Sequence, residues 1–287
     1  MFQRECPAIR REAGKGRASK TGLLALLVLS GLFTARAGSA QEPEEVEVHY
    51  LGHASFLLRF PTGVTVLTDY GESNAWGLES PIHTLGSPLP DLITISHDHL
   101  DHAGGERPAE VPTLTHGDGA WQAQGLGVFP IPTFEGNLAE PDNTSFLFSY
   151  GDLRILHLGD CQGLMVALGA EEPPSEAREE VEATIQNLYP DRYDLVLLPI
   201  GFTRDILREA MEFLALLDVG QVIPMHYWTP TDRDTFLARL EGAMDGQGRP
   251  YRTEAIGGGR LILGKGASEA EVLVWGLEPG PAGRRAP

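Results

Sequence analysis

Short apolar runs bounded by turn residues recur along the chain from residue 46 onward. Val46–Leu51, Ser55–Phe60 and Val64–Thr68 predict three strands, with Pro61-Thr62-Gly63 as a tight turn between the last two. Leu92–Ser96 predicts a buried strand that runs directly into a histidine-rich loop. Thr113–Thr115 and Val128–Pro132 predict short strands on either side of a small helix near Ala120–Gln124. Ser145–Tyr150 and Leu153–Leu158 read as a hairpin across Gly151-Asp152.

The second half changes character. Ser175–Leu188 has helical periodicity with acidic residues in its first turn, where the helix dipole favours them. Leu195–Ile200 predicts a strand, Arg204–Leu217 an amphipathic helix and Val222–Met225 a strand. Asp232–Leu240 predicts a helix capped by Asp232 or Thr231, and Arg260–Leu263 with Val272–Trp275 a final hairpin. Many strands first, then helices alternating with strands, suits a mixed α/β layered sandwich with helices on its outer faces. The Pro/Gly-rich stretch 279–287 reads as a disordered tail.

The first forty residues carry a different pattern. Arg4, Arg10, Arg11, Lys15, Arg17 and Lys20 precede the apolar stretch Leu23–Phe33, and small residues follow at Ala37, Gly38, Ser39 and Ala40. That is the layout of a secretory signal, with cleavage expected before Gln41. Eleven residues reach ~16 Å as helix against ~30 Å of hydrocarbon, so a permanent membrane anchor is not expected. The expected location is periplasmic or secreted. Arg10-Arg11 raises twin-arginine export, although Glu12-Ala13-Gly14 fit that signal poorly. Residues 41–278 are left as a single domain, large enough to bury a sizeable core.

Charge narrows the partners. The chain has 22 basic and 40 acidic residues, a net −18, and Lys is almost absent. Removing the leader takes away seven basic and two acidic groups, which leaves 15 and 38, a net −23. Nucleic-acid binding needs a clustered basic face, so the expected partner is a small-molecule substrate. Cys6 would leave with the leader, so Cys161 stands alone and no internal disulfide can form.

The strongest chemical signal is Ser96-His97-Asp98-His99-Leu100-Asp101-His102. His97 and His99 project to one side of an extended loop and can share a cation, while Asp101 and His102 can address a second one nearby. Imidazole and carboxylate donors suit Zn²⁺, Mn²⁺ or Fe²⁺. His-x-His-x-Asp-His after a strand resembles the signature of the metallo-β-lactamase superfamily. Tyr50-Leu51-Gly52-His53-Ala54-Ser55-Phe56 resembles the opening strand of its branch of lactonase-like and uncharacterised metal-dependent hydrolases. The resemblance implies a four-layer αββα sandwich with one or two metals at its edge, zinc being the first expectation.

The same resemblance distributes roles over other residues. It implies that Asp160, in His157-Leu158-Gly159-Asp160, bridges the metals, and that His226, ending Ile223-Pro224-Met225, is the last ligand. It puts Asp69 and Asn143 behind the ligands as supports; His157, three residues before Asp160 on the same strand, reads as a supporting or packed histidine, and His53 as a residue that orients substrate or hydrogen-bonds a ligand, or else as a structural turn histidine. Cys161 reads as a small buried residue, and His49, His83 and His116 as surface residues.

One position departs from the pattern. Where the branch ends Pro-x-aromatic-His, this chain reads Pro132-Thr133-Phe134-Glu135. Either Glu135 is a ligand that biases the first site toward Mn²⁺ or Fe²⁺, or that site is degraded and only the second holds metal. The implied function is an exported hydrolase in which a metal-bound hydroxide attacks an ester, lactone or phosphodiester, with Asp101 and Asp160 orienting it. The alternatives are a catalytically reduced binding protein on the same scaffold, or a β-lactamase.

Overall fold

The structure, a computed structural model, describes residues 45–72, 88–136, 138–169, 175–201, 206–264 and 269–279. The expected leader, the tail beyond Pro279 and His83 lie outside the described residues.

Two sheets carry the fold. The first orders β15 (Arg260–Leu263), β1 (Val46–Gly52), β2 (Ser55–Arg59), β3 (Thr65–Thr68), β4 (Leu92–Thr94) and β5 (Thr113–Leu114). Its early strands are antiparallel, and β3, β4 and β5 run parallel. The second sheet orders β14 (Tyr251–Ile256), β16 (Val272–Leu277), β13 (Gln221–Met225), β11 (Leu195–Pro199), β9 (Leu153–His157), β8 (Asn143–Tyr150), β7 (Leu126–Thr133) and β6 (Trp121–Ala123). Here the strands from β9 to β14 are parallel, and a separate two-stranded pair joins β10 (Arg192–Tyr193) to β12 (Asp218–Val219).

Period-two alternation explains how the layers stack. Phe56, Leu58, Val66 and Leu92 enter the main core, together with Phe146, Phe148 and Ile155 of the second sheet. Their neighbours Leu57, Leu67 and Ile93 point the other way, into a smaller cluster with Tyr70 and Val111. The first sheet is therefore buried on both faces, as a sandwich interior requires. Leu164, Phe213 and Leu240, from α2 (Gln162–Gly169), α4 (Ile206–Ala215) and α5 (Pro230–Leu240), join the main core, and α3 (Ser175–Leu188) adds Val181 and Ile185.

Three local expectations are corrected. The segment near Ala120–Gln124 is not a helix: Trp121–Ala123 pairs with Leu126–Val128 through the two-residue turn Gln124-Gly125. Both turn residues have positive φ, 46° and 83°, which is the backbone a right-twisted hairpin selects. The final segments do not pair with each other either. Arg260–Leu263 lies antiparallel to β1, whereas Val272–Leu277 lies parallel to β13 and β14 in the other sheet. Lastly, α5 starts earlier than expected. Thr229 is its N-cap, Pro230 follows, and the Asp232 carboxylate accepts the Thr229 N–H at 2.7 Å in a capping box.

Candidate metal centre

The strand order explains why distant histidines meet. Ends of β4, β9 and β13 open on one rim of the sandwich, the edge where sheets with parallel strands present ligands. His97 follows β4, Asp160 follows β9 and His226 follows β13, while α1 (Leu100–Ala103) supplies Asp101 and His102. His53 and Asp69 follow β1 and β3, and Glu135 follows β7.

Backbone strain concentrates at this rim. His53, Asp69 and His226 have φ of 54°, 42° and 57°, a region that side-chain-bearing residues occupy at a cost of ~1–3 kcal/mol each. Neighbours hold the strain in place. The His226 N–H donates to the His53 carbonyl at 2.8 Å, and the Asp69 N–H to that of Thr94 at 2.8 Å. Gly201 lets the His226 backbone pass so closely that a Cβ there would lie 1.8 Å from its carbonyl oxygen.

Potential donor atoms form three overlapping groups, each within 4.8 Å: His53, Asp101, His102 and His226; His97, His102 and Asp160; and His97, His99 and Glu135. Shared His102 and His97 link the three into one row. His102 Nε2 and His226 Nε2 are 2.9 Å apart, and Asp101 Oδ2 lies 3.6 Å from each. In the outer group, His99 Nδ1 and Glu135 Oε1 are 3.2 Å apart, and His97 Nε2 lies 3.6 Å from Glu135 Oε2.

Proton positions follow from the partners behind the row. Asp69 accepts from the Ser96 N–H at 2.7 Å and the Ser96 hydroxyl at 2.9 Å. The same carboxylate accepts from His102 Nδ1 at 2.8 Å, so the Nε2 of a neutral His102 is a bare lone pair. With its proton committed to Asp69, Ser96 Oγ can only accept from His97 Nδ1 at 3.2 Å, which leaves His97 Nε2 bare as well. Carboxylate-backed imidazoles of this kind are how proteins orient metal ligands. His53 differs: its Nε2 donates to Asp101 Oδ2 at 2.7 Å, so it holds a donor in place and offers no lone pair there.

Burial sets the charge states in the same sense. It is the largest influence on His97, whose pKa falls to about 3, and on His102 and His226, which lie well below the ordinary value. These imidazoles are uncharged at neutral pH and therefore competent to ligate. For Asp101 burial acts upward, but hydrogen bonds from His226 and His53 prevail and hold the carboxyl far below the usual range. Burial, reinforced by the Glu135 charge, pushes Asp160 well up, and burial raises Glu135 too. Buried carboxyls pressed together in this way fit a place for positive charge, so the residues present suit divalent cations.

Supporting contacts complete the row. Asn143 Oδ1 accepts the Asp160 N–H at 3.0 Å, and its Nδ2 donates to Thr133 Oγ1 at 2.6 Å. Gln162 Nε2 donates to Asp160 Oδ1. His157 Nε2 donates to the Ala54 carbonyl at 2.9 Å and accepts the Gly159 N–H at Nδ1, 3.2 Å away, so both its nitrogens are engaged away from the row. Cys161 is buried, with burial raising its thiol to about 12. His116 is exposed, yet its Nδ1 lies 3.1 Å from the buried Thr144 Oγ1. Ser96 and Gln162 were not singled out from the sequence. A lone hydroxyl at the end of an apolar strand, just before His97, was the available signal for Ser96.

Strands opening on a histidine–carboxylate row define the class as metallo-β-lactamase-type. A profile of the Beta-lactamase superfamily domain matches residues 47–172. A UPF0173 metal-dependent hydrolase of Korarchaeum cryptofilum is 30% identical over 196 residues, 64% of this chain and 84% of that protein. One of Myxococcus xanthus is 26% identical over 215 residues, 68% of this chain and 75% of that protein. A crystal structure of a metallo-β-lactamase superfamily protein from Thermotoga maritima has a similar fold, with a TM-score of 0.51 at 24% identity over 81% of this chain and all of that one. The chain belongs to the metallo-β-lactamase superfamily, among its UPF0173 metal-dependent hydrolases, and is a metal-dependent hydrolase.

Proposed function

We propose that the protein is an exported hydrolase that cleaves an ester, lactone or phosphodiester-type small molecule at a two-cation centre. The basic, apolar and small-residue succession over residues 1–40 supports the export part, toward the periplasm or the medium. Among the described residues no helix is long and apolar enough to cross a membrane.

The observation that carries the chemistry is the row of donor groups linked through His97 and His102. His102, His226, Asp101 and Asp160 would hold an inner cation, and His97, His99 and Glu135 an outer one, with Asp160 between. Two imidazoles and one carboxylate make the outer set harder than three imidazoles, which favours Mn²⁺ or Fe²⁺ over Zn²⁺ there. The chemistry that divalent cations supply is activation of water near neutral pH and polarisation of the oxygen under attack. His53 fixes Asp101 by its 2.7 Å hydrogen bond, so Asp101 orients the attacking water without swinging. Gln162 donates to Asp160 Oδ1 and so fixes the carboxyl, which turns Oδ2, 3.7 Å from His226 Nε2, toward the inner donors.

Elemental analysis of the purified protein, then a panel of chromogenic esters, lactones and bis-phosphodiesters with the metal found, tests the reading. Turnover abolished by chelator and by Asp101→Ala is the expected result. Full metal occupancy with no turnover across the panel would favour a binding protein instead.

A further inference from the structure

His53 and Ala54 form the two-residue turn between β1 and β2, since Gly52 pairs with Ser55 across them. The first position of such a turn takes a positive φ, which glycine adopts most readily, yet the chain places His53 there at 54°. Hydrogen bonds to both turn carbonyls hold it. The Ala54 carbonyl accepts from His157 Nε2 at 2.9 Å and from Thr68 Oγ1 at 3.0 Å. The His53 carbonyl accepts the His226 N–H at 2.8 Å and the Tyr50 hydroxyl at 3.1 Å. A turn of the first sheet is thereby stitched to the ends of β9 and β13 in the second.

Tyr50 is the least expected member of this set. It is buried, and its ring packs against Phe56 with centroids 4.8 Å apart and beside Tyr227 at 6.1 Å. A phenylalanine would fill the same space, so packing alone does not call for the hydroxyl. Burial holds its pKa well above the ordinary value, which keeps the phenol a donor. That donor meets the carbonyl of His53, whose ring holds Asp101 at 2.7 Å, and the same carbonyl fixes the backbone of His226. The Tyr227 hydroxyl in turn donates to the Leu277 carbonyl at 3.3 Å, which also accepts from the buried Arg233 Nη1 at 2.9 Å. The ring beside Tyr50 is therefore tied to the end of β16.

We infer that, on the two-cation reading above, Tyr50 is a positioning residue for the inner cation: its hydroxyl fixes the His53 carbonyl and, through it, the settings of His226 and Asp101. His97, His99 and Glu135 follow β4 and β7 instead, so the outer cation should not feel the change.

The test titrates metal-free protein with Co²⁺ alone, reading bound metal by equilibrium dialysis and its surroundings by visible absorption. Tyr50→Phe should weaken the tighter Co²⁺ by about tenfold or more, alter its absorption, and leave the looser one within about twofold. Phe148→Leu, a core change toward the far end of β8 from Asn143, controls for lost stability. It should lower the denaturant midpoint and move neither affinity beyond about twofold. Unchanged Co²⁺ binding in Tyr50→Phe, equal weakening at both positions, or the same loss in Phe148→Leu would overturn the inference. A wild type that binds no Co²⁺ would sink the two-cation reading and the role of Tyr50 together, whereas tight binding indifferent to Tyr50→Phe would sink that role alone. If Tyr50→Phe does not fold, Tyr227→Phe takes its place. The tighter Co²⁺ weakened by about threefold, less than for a directly bonded partner, would then support the inference. Unchanged binding would overturn it.

Discussion

The inner and outer donor groups are built from the same residue types but under opposite conditions. The inner set is sealed: the side chains of His102 and His226 are fully buried and that of Asp101 is 4% exposed. It is assembled from two separate strand ends and one helical turn, and the tilted ring of His53 packs against His226 with centroids 3.9 Å apart. The outer set faces solvent, with the side chain of His99 51% exposed and that of Glu135 24%. Two of its three donors, His97 and His99, come from alternate positions of one loop. The inner group therefore gains its order from the whole fold, whereas the outer group depends on a single distant residue, Glu135, to close it.

The largest test of this contrast is removal of an inner donor. Asp101→Ala should lower kcat by about 10³-fold or more, with loss of tightly held metal in elemental analysis. Retention of both would show that the sealed group is not the working one. Asp69→Asn comes next, and should weaken metal affinity by about 10–100-fold at both positions, because Asp69 backs His102 directly and His97 through Ser96. Equilibrium dialysis reads this, and weakening at one position alone would contradict the shared support. Glu135→Ala should release only the more loosely held equivalent, and Glu135→His should raise that equivalent's preference for Zn²⁺ over Mn²⁺. Unchanged stoichiometry in Glu135→Ala removes Glu135 from the donors.

Smaller effects concern the metal-free fold. His97 is uncharged when folded, with its pKa at about 3, but takes a proton near 6.5 when unfolded. The unfolded chain thus binds the extra proton between those values, so the His97 contribution to the stability of metal-free protein should fall as pH drops from about 6.5 toward 3, and the pH slope of the denaturant midpoint should be shallower in His97→Gln than in the wild type. The same slope in both proteins would show that His97 keeps its proton in the folded chain. Gly159→Ala should cost about 1–3 kcal/mol in chemical denaturation. Its φ is 60°, and a Cβ would sit 2.5 Å from that of Ser96 and 2.6 Å from Asn143 Oδ1.

Much of this architecture was legible before any coordinates. Short apolar strands such as Ser55–Phe60 and Ser145–Tyr150 are set by burial on one or both faces and stand within a residue or two of where the pattern put them. The compact His97–His102 motif needs no long-range information to be noticed. What failed was information held between segments. Gln124-Gly125 carries a hairpin turn that short polar spacing disguised as a helix, and the sequence near Arg260 and Val272 does not say which sheet each strand joins. The roles of Ser96 and Gln162 depend on a carboxylate that the fold brings from 27 residues away for one, and from two residues away around a turn for the other.

The Asp69–Ser96 node has a consequence for how this centre could be altered by selection or by design. Because one carboxylate fixes the protonation pattern of two imidazoles, neither histidine can be retuned without disturbing the other. Glu135 makes no contact with Asp69 or Ser96 among the described residues: its backbone N–H is held by Asp142 of its own loop, and its carboxylate meets His99 and His97 from the outer side. It is the one interchangeable socket in an otherwise locked frame, and a change of metal diet would be written there first.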